Sequence, residues 1–317
     1  MAGQAPPEIV VVGSLHMDIV ATGDRLPVRG ETLPGRSLAF HPGGKAGNQA
    51  VAAHRAGGRS ALLACVGQDD FGTRLIAAIR EHGVDVRHIA VDPSVGTGAS
   101  PVFVGEGGDY CSMIVPGSSM TITPAFVRAH DDAFARAKIV IGQLEISPAG
   151  TAEAMRIGKS HGAITLLNAA PAPASGGLPV VFRGVVDVLV ANAVEAAMLL
   201  DSGTALTIPA SDAASRLAEK YGIAQVIVTL GADGVVGYAD GQVTRLDAHP
   251  VTVADTLGAG DAFIGAFAVA VAEGRAFSEA LTRANAAGAI ATTRPGGIDG
   301  LPTAALIDAM LAAGTSA

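Results

Sequence analysis

Residues 255–261, Asp-Thr-Leu-Gly-Ala-Gly-Asp, run directly into an apolar stretch from Ala262 to Ala272. This order predicts a glycine-rich loop that opens a helix. Backbone N–H groups at a helix N-terminus attract anions, and small residues let those groups approach phosphate oxygens closely. The charge of Asp261 would oppose a bound phosphate, but its carboxylate is suited to accept a proton from an attacking hydroxyl. The segment therefore indicates phosphoryl transfer, with a simple helix-capping aspartate as the alternative.

A second glycine-rich segment, residues 41–49, precedes an alanine-rich stretch. Gly43 and Gly44 permit close approach of the backbone, while Lys45 and Asn48 supply donors at the mouth of a predicted helix. The segment lacks the spacing of a nucleotide-binding P-loop, in which four residues separate a glycine from Gly-Lys-Ser/Thr. It suits a ligand with several hydroxyl groups.

Carboxylates also follow two predicted strands, Ile9 to Val12 and Ile139 to Ile141. Asp18 comes after the first strand and Glu145 after the second, and open α/β sheets bind ligands at the carboxyl ends of their strands. A carboxylate there can accept hydrogen bonds from two neighbouring sugar hydroxyls. Asp18 could instead cap a turn, and His16 is either a ligand contact or a polar loop residue.

Two further segments could meet a nucleotide. Asn192 and Glu195 follow a predicted strand and fall on one side of a first helical turn, where they could order water around Mg²⁺. The same spacing is typical of an N-cap with a capping-box glutamate, which the pair alone favours. Thr229, Gly231 and Gly234 leave another strand and could seat phosphate or ribose on backbone groups, or could form a hairpin turn.

Composition excludes several classes of function. The chain has 317 residues, a formal net charge of −8 and a sequence pI near 5.4, which argues against binding to nucleic acid or to an anionic membrane. Three tyrosines and no tryptophan offer no stacking platform for single strands. Cys65 and Cys111 give neither a disulfide framework nor clustered metal ligands. With no secretory signal at its start, the chain is expected to be cytoplasmic.

Short apolar runs alternate with longer, alanine-rich amphipathic stretches, which predicts strands alternating with helices in a parallel sheet covered on both faces. The predicted strands are Ile9–Val12, Ala61–Val66, Ile139–Ile141, Ile164–Leu167, Val185–Val190 and Val226–Leu230. The predicted helices are 47–56, 71–81, 150–161, 210–221, a helical region over 259–293, and 304–313. We therefore expect an α/β fold with three layers and a doubly wound, mostly parallel sheet, forming a single domain over residues 1–317.

Residues 15–40 and 97–115 break this alternation. They contain alternating apolar and polar positions and turn signals, and they predict a small antiparallel sheet inserted into the core. An exposed sheet of this kind commonly covers an active site or forms a partner surface. Both segments flank candidate site residues, which favours a lid over simple surface hairpins.

Together these segments resemble the ribokinase-like, or PfkB, family of carbohydrate and nucleoside kinases over nearly the whole chain. The resemblance is specific at both family signatures, Gly43 to Ala53 and Asp255 to Phe263. It implies ATP as phosphoryl donor, Mg²⁺ bridging the phosphates, activation by a monovalent cation, usually K⁺, and a β-sheet lid that often makes a homodimer contact.

The resemblance also implies roles for individual positions. Asp261 would be the general base and the amides of Gly258, Ala259 and Gly260 the anion hole. The positions that match sugar contacts are Asp18, Gly44, Lys45, Asn48 and Glu145, and we add His16 and Gly43 to this predicted site from their places beside them. Those that match nucleotide and phosphate contacts are Asn192, Glu195, Thr229, Gly231 and Asn285, and we add Gly234 from its place after the same strand as Thr229. Those that match the monovalent cation site are Asp255, Leu257, Ala291, Arg294, Gly296 and Gly300.

The chain departs from the family pattern at the predicted sugar and cation sites. His16 stands where ribokinase-like sequences typically carry asparagine, residues 117–119 read Gly-Ser-Ser in place of Gly-Ala-Asn, and Gly300 lacks a hydroxyl often present there. A pocket built to pair particular hydroxyls discriminates strongly against others. Ribose is the favoured acceptor, followed by deoxyribose, a ketohexose or a nucleoside. A non-catalytic sensor on the same fold is the rival from another class, whereas a dehydrogenase is disfavoured because no G-x-G-x-x-G follows the first strand.

Overall fold

The computed structural model describes residues 7–107, 109–295 and 297–314. Its strands are β1 Ile9–Val12, β2 His16–Thr22, β3 Ser37–Gly43, β4 Ser60–Gly67, β5 Ile89–Asp92, β6 Thr97–Val104, β7 Tyr110–Ser112, β8 Val115–Gly117, β9 Ile139–Gly142, β10 Ile164–Asn168, β11 Val188–Asn192, β12 Gln225–Thr229, β13 Val235–Ala239 and β14 Gln242–Leu246. Its helices are α1 Lys45–Arg55, α2 Asp70–Glu81, α3 Pro124–Arg128, α4 Pro148–Ser160, α5 Ala193–Leu199, α6 Ala210–Tyr221, α7 Ala259–Ala272, α8 Phe277–Ala291, α9 Gly297–Gly300 and α10 Ala304–Gly314.

The larger sheet has nine strands in the order β14-β13-β12-β11-β10-β9-β1-β4-β5. The strands from β12 to β5 run parallel, and the hairpins that join β12, β13 and β14 add an antiparallel edge. The interior strand β1 reads Ile-Val-Val-Val and is buried along its whole length, as expected for a strand with helices on both faces. The predicted α/β fold with a mostly parallel sheet is confirmed.

Successive strand residues face opposite layers. Ile9 and Val11 pack in a core with α1, α7 and α8, whereas Val10 and Val12 pack in a second core with α3 and α4. Under the other half of the sheet, a third core contains residues of α4, α5 and α6. The alternation follows from the period of two in a strand, and it places two helical layers on one sheet.

Helices α1 and α7 approach each other unusually closely. A Cβ added at Gly265 would lie 2.5 Å from Cβ of Ala52 and 2.6 Å from the backbone nitrogen of Ala53. Residues four apart share one face of a helix, so this contact lies directly below Asn48 on α1 and Asp261 on α7. The missing side chain at Gly265 therefore sets the distance between these two polar residues.

The smaller sheet has the order β3-β2-β6-β7, with β8 also paired to β6. The prediction of a purely antiparallel sheet is wrong, because β2 and β6 run parallel. Both strands leave the larger sheet at its carboxyl edge and head the same way, and β3, β7 and β8 return antiparallel to them.

The chain crosses between the two sheets at four joints that are packed in two pairs. The joint at residues 13–15 meets the joint at Gly44, where a Cβ would lie 2.7 Å from the carbonyl oxygen of Ser14. The joint at residues 93–96 meets the end of β8, where the amide of Ser118 donates to the carbonyl oxygen of Gly96 at 2.9 Å. The smaller sheet is thus joined to the core along one side, and Phe40 of β3 also packs against Phe71 of α2, with ring centroids 6.0 Å apart.

Two predicted boundaries are wrong. The strand predicted from Val185 starts only at Val188, because Val185 ends a turn in which its amide donates to Phe182 and its carbonyl accepts from Thr165. The helical region predicted over 259–293 is interrupted at Gly274, which has a φ of +77° and separates α7 from α8. Among the described residues, no helix is both long and apolar enough to cross a membrane.

Candidate active site

A cavity of about 850 Å³ lies at the carboxyl edge of the larger sheet, beneath the smaller one. Fourteen of the predicted site residues line it: His16, Asp18, Gly44, Lys45, Asn48, Glu145, Asn192, Glu195, Thr229, Asp255, Leu257, Gly258, Gly260 and Asp261. The smaller sheet contributes apolar and polar walls through Val20, Val102, Val104 and Tyr110. Residues far apart in sequence therefore converge on one space large enough for two small ligands.

Asp261 lies in the first turn of α7, where the glycine-rich segment ends. The Asn48 amide donates to its Oδ2 at 3.0 Å, and the Gln49 amide donates to its Oδ1 at 2.9 Å. Burial raises the pKa of Asp261, and the Lys45 charge and the two amide donors only partly offset that effect. The result is a half-buried carboxylate with both oxygens fixed and a proton affinity above that of an ordinary aspartate.

Three buried amides that we did not predict as site residues support Asp261 from below. Gln49 also donates to Oδ1 of Asn168 at 3.1 Å, and Gln143 donates to Oε1 of Gln49 at 2.6 Å. Gln49 lies on the otherwise apolar face of α1, among Ala46, Ala50 and Ala53. A polar side chain in that position requires a buried partner, which is the sequence signal that could have identified it.

Glu145 fixes the start of α1. Its Oε2 accepts the backbone amide of Lys45 at 3.0 Å and the hydroxyl of Ser14. Burial lowers the pKa of Lys45, but the carboxylates of Asp261, Glu145 and Glu195 outweigh it and the net pKa is raised. The ammonium group therefore stays charged in the cavity and offsets part of the negative charge of three carboxylates.

The His16 and Asp18 side chains form one polar pair on β2. Nε2 of His16 lies 3.2 Å from Oδ1 of Asp18, and His16 is only 6% exposed. Gly43, the β3 partner of His16, lies under the Asp18 carboxylate and leaves no room for a side chain. Gly43 does not line the cavity. Its lack of a side chain leaves space for the Asp18 carboxylate.

Asn192 and Glu195 form a complete capping box at the start of α5, with both hydrogen bonds at 2.8 Å. Burial raises the pKa of Glu195, although the Asn192 amide and the Lys45 charge act in the opposite direction. The capping alternative is thus observed, and both residues also face the cavity.

The residues after Thr229 form a hairpin turn between β12 and β13, as the alternative prediction stated. Gly231 begins a 3₁₀ turn over Gly231–Asp233 with open space around its Cα. A Cβ at Gly234 would collide with the carbonyl of Leu246, so Gly234 faces protein and not the cavity. Neither glycine lines the cavity, and the same holds for Asn285, whose amide donates to the carbonyl oxygen of Asp247 at 2.8 Å.

The glycine-rich segment places Gly258 at the start of α7 with a φ of +79°. Gly258 and Gly260 line the cavity, whereas Ala259 does not and its amide donates to the carbonyl of Thr256 at 3.3 Å. Of the three predicted anion-hole amides, that of Ala259 therefore has a protein acceptor in this structure.

Several carbonyl groups surround Gly300, close to the glycine-rich segment. A Cβ at Gly300 would lie 3.3 Å from the oxygen of Arg294, 3.6 Å from that of Pro295 and 3.7 Å from that of Ala291. Asp255 and Leu257 line the cavity, and the Leu257 amide donates to Oδ1 of Asp255 at 2.9 Å. The remaining residue predicted at this cation site, Gly296, lies outside the described residues.

Across the described ranges, no group of three or more His, Cys, Asp or Glu side chains is placed to hold a metal ion. One buried acceptor at the cavity has no partner within these ranges, Oδ1 of Asn48. A buried acceptor without a partner is costly. A ligand hydroxyl would satisfy it.

The comparisons with known proteins agree with this geometry. Residues 6–304 match the pfkB family carbohydrate kinase model. The chain is 32% identical to ribokinase of Mus musculus over 292 residues, covering 91% of this chain and 90% of that protein. It is 31% identical to deoxyribokinase of Salmonella typhi over 264 residues, covering 82% and 84%.

The fold also matches a solved structure, that of Arabidopsis thaliana ribokinase complexed with ribose and ATP. The TM-score is 0.89 at 28% sequence identity, and the match covers 97% of this chain and 99% of the other. The family and the fold predicted from the two signatures are confirmed. The chain therefore belongs to the pfkB family of carbohydrate kinases and is an ATP-dependent sugar kinase.

Proposed function

We propose that this protein transfers the γ-phosphoryl group of ATP to the primary hydroxyl of a pentose, with D-ribose as the favoured acceptor, giving D-ribose 5-phosphate and ADP. The observation that carries the proposal is Asp261, a carboxylate fixed through both oxygens at the start of a helix, in a cavity of about 850 Å³. The mouse ribokinase identity and the fold shared with a ribokinase bound to ribose and ATP support it.

In this reaction Asp261 accepts the proton of the sugar hydroxyl as the new bond from oxygen to phosphorus forms. The bond from phosphorus to the bridging oxygen breaks and its electrons leave with ADP. The backbone amides of Gly258 and Gly260, which line the cavity at the start of α7, would stabilise the negative charge that develops on the transferred group. Lys45 adds a positive charge nearby, and catalysis rests on positioning and charge stabilisation.

The sugar would occupy the part of the cavity near β2 and the start of α1. Asp18, Glu145 and the unpartnered Oδ1 of Asn48 are acceptors suited to sugar hydroxyls. Asn192 and Thr229 lie at the other end, on the neighbouring strands β11 and β12, where the nucleotide would bind. The charge of Glu195 reaches Lys45 and so acts on both parts. The smaller sheet covers both parts and would exclude water, which limits wasteful hydrolysis of ATP.

Two cations would assist. Mg²⁺ prefers oxygen ligands and usually retains water while bridging phosphates, so the capping-box carboxylate of Glu195 could hold its water shell. The three carbonyl oxygens around Gly300 form a cradle suited to K⁺, which would place positive charge beneath the glycine-rich segment. Bound there, K⁺ supplies electrostatic support and takes no part in bond formation.

One residue of the sugar site could favour an acceptor other than ribose. His16 contributes an imidazole where ribokinase-like sequences typically have an amide, and it is already paired with Asp18. The similarity to a deoxyribokinase makes deoxyribose the second candidate acceptor. A pocket with a polar group paired inside the protein discriminates less against a substrate that lacks one hydroxyl.

The smaller sheet is also the proposed homodimer contact. Met113 is 70% exposed, and Leu38 and Phe103 are exposed on the face of the same sheet that points away from the cavity. Apolar groups clustered on an open sheet are typical of a partner surface. Sedimentation equilibrium of the wild type and a Met113→Lys variant tests this, with a monomer in the variant alone as the expected result.

The test of function is ADP release with ATP, Mg²⁺ and K⁺ and a panel of ribose, deoxyribose, fructose, adenosine or no acceptor. Turnover that depends on ribose and is lost in Asp261→Asn supports the proposal. Turnover on another acceptor alone would replace ribose as the substrate. If no acceptor gives turnover while calorimetry detects sugar binding, the protein is a sensor on this fold.

A further inference from the structure

The buried amides beneath Asp261 form a chain with a single direction. Gln143 donates to Gln49 at 2.6 Å, and Gln49 donates to Asp261 at 2.9 Å and to Asn168 at 3.1 Å. Gln49 and Gln143 are each 0% exposed, so neither exchanges these bonds for water. The bonds from Gln143 to Gln49 and from Gln49 to Asp261 both run toward the carboxylate, whereas the bond to Asn168 holds the same NH₂ group from the side.

The orientation of the Gln49 amide depends on Gln143. Were the Gln49 amide reversed, its oxygen would face the Asp261 carboxylate and its NH₂ group would face the NH₂ group of Gln143. Both contacts would be repulsive in a buried setting where unmet polar groups are costly. The Gln143 amide thus selects the Gln49 orientation that presents N–H groups to Asp261.

The position of Gln143 is itself constrained. Its Oε1 lies against Gly13, where a Cβ would overlap the oxygen, and this atom has no partner among the described residues. Gly13 closes the turn after β1, so the backbone there leaves room for the amide. Leaving one buried acceptor unpaired is a cost that the fold tolerates next to its candidate base.

Asn48 and Gln49 differ in a way that separates their roles. Asn48 lines the cavity and has an unpartnered Oδ1, so it can turn toward a bound sugar. Gln49 is absent from the cavity wall and all its polar atoms are paired inside the protein. Its bond to Asp261 can therefore persist when substrate enters.

We propose that Gln49, oriented by Gln143, is a positioning residue that holds the Asp261 carboxylate in its reactive geometry and in its ionised form throughout turnover. The proposal rests on Asp261 being the base of the sugar kinase reaction. Gln49 touches neither substrate in this arrangement and acts only through Asp261.

The test compares full-length wild type with Gln49→Leu, Gln143→Leu and the double variant, using the acceptor that the panel identifies. In Gln49→Leu we expect kcat to fall about tenfold or more with little change in either KM, because a misplaced base slows chemistry without weakening binding. The acid limb of the kcat profile should move to higher pH, since a donor to the ionised form is lost. Lys45 and Glu145, the other charged groups that act on Asp261, stay unchanged.

Gln143→Leu should also lower kcat and move the acid limb of the kcat profile to higher pH, each by a smaller amount than Gln49→Leu. The double variant should match Gln49→Leu alone, because residues acting in series are not additive. Additive losses, or an unmoved acid limb in Gln49→Leu, would overturn the proposal. Thermal unfolding of each variant checks folding, and if Gln49→Leu fails to fold, Gln143→Leu carries the same prediction.

A readout independent of turnover separates this proposal from the proposed function. Carboxyl-labelled aspartate, with the Asp261 signal assigned by its loss in Asp261→Asn, is titrated by NMR in the wild type and the two single variants. The Asp261 signal should titrate at higher pH in Gln49→Leu even if no acceptor is turned over. An unchanged titration would contradict the positioning role, whatever the reaction proves to be.

Discussion

The two ends of the cavity are built differently. At the end near α1 and α7, the side chains of Asp261, Asn48 and Glu145 are tied to protein donors or acceptors before any ligand arrives. At the other end, Asn192 is exposed, and its side chain accepts only the nearby backbone amide of Glu195. The end where bonds would change is cross-linked between segments distant in sequence, whereas Asn192 is held only within its own helix turn.

The difference has a physical reason. Proton transfer requires atoms placed to within fractions of an ångström, so it benefits from a preformed hydrogen-bond network. Phosphates carry their own charge and many acceptors, so they can be bound by helix ends, backbone amides and cations with less preorganisation. Rigidity is therefore concentrated where chemistry requires it.

The largest expected effect comes from removing the base. Asp261→Asn should lower kcat by about 10²- to 10⁴-fold while leaving KM for ATP nearly unchanged, because the amide cannot accept the sugar proton. Initial rates of ADP formation at saturating sugar measure this. If the main effect were instead a higher KM for ATP, Asp261 would contribute to nucleotide binding and the two ends of the cavity would not have separate roles.

Low pH should slow the reaction by protonating Asp261. Since burial raises the pKa of Asp261, protonation begins above pH 3.8, and kcat should fall about tenfold per pH unit below the pKa of this carboxyl. A kcat profile at saturating substrates checks the sign. An acid limb below pH 3.8 would contradict the assignment of Asp261 as the titrating base.

Pushing α1 away from α7 should disturb mainly the end of the cavity that contains Asn48 and Asp261. Gly265→Ala places a Cβ 2.5 Å from that of Ala52 and should cost about 1–3 kcal/mol of unfolding free energy, with a lower kcat. Gly288→Ala is the matched control within α8, where the nearest atom lies at 3.4 Å and helix propensity favours alanine by about 1 kcal/mol. Denaturant unfolding of both variants measures the difference, and equal stabilities would refute the close-packing account.

Glu195, which lines the cavity and whose charge reaches Lys45, should give a weaker effect that falls mainly on the nucleotide. Glu195→Gln retains an oxygen for the capping box but removes the charge, so KM for MgATP should rise about tenfold with KM for sugar unchanged. Glu219→Gln, on the exposed side of α6, is the control. An equal rise in the sugar KM would break the distinction between the ends.

The smallest effect concerns the carbonyl cradle. Gly300→Ser adds a hydroxyl that can face the oxygens of Arg294 and Ala291, and it should lower the K⁺ concentration for half-activation by roughly two- to tenfold. Gly300→Ala adds the same Cβ without the hydroxyl and should not. Rates against K⁺ concentration compare the three proteins, and identical curves for serine and alanine would argue against a cation at this position.

Much of the fold and part of the site could be predicted from local sequence. Buried strands such as Ile9 to Val12, and polar residues just after them, follow directly from hydrophobic runs and from the geometry of open α/β sheets. The start of α7 followed from its glycines and Asp261. These features depend on neighbours within a few residues.

The rest depends on contacts between distant segments. Gln49 meets Asp261 across 212 residues and Gln143 across 94, so no local pattern identifies the network. The parallel pairing of β2 with β6 likewise depends on where both strands leave the larger sheet. Asn285 was predicted at the nucleotide from resemblance alone, and its bond to Asp247 depends on how α8 packs against the end of β14.

The two paired joints that carry the smaller sheet define a line, and any rotation of that sheet pivots on it. Ser14 and Gly44 lie on the line, so their contacts with Glu145 and the start of α1 are hardly displaced by such a rotation. Tyr110 lies on the edge strand β7, farther from this line. Any rotation that admitted a ligand would therefore displace Tyr110 more than Ser14, and the contact of Phe40 in β3 with Phe71 in α2 would resist it.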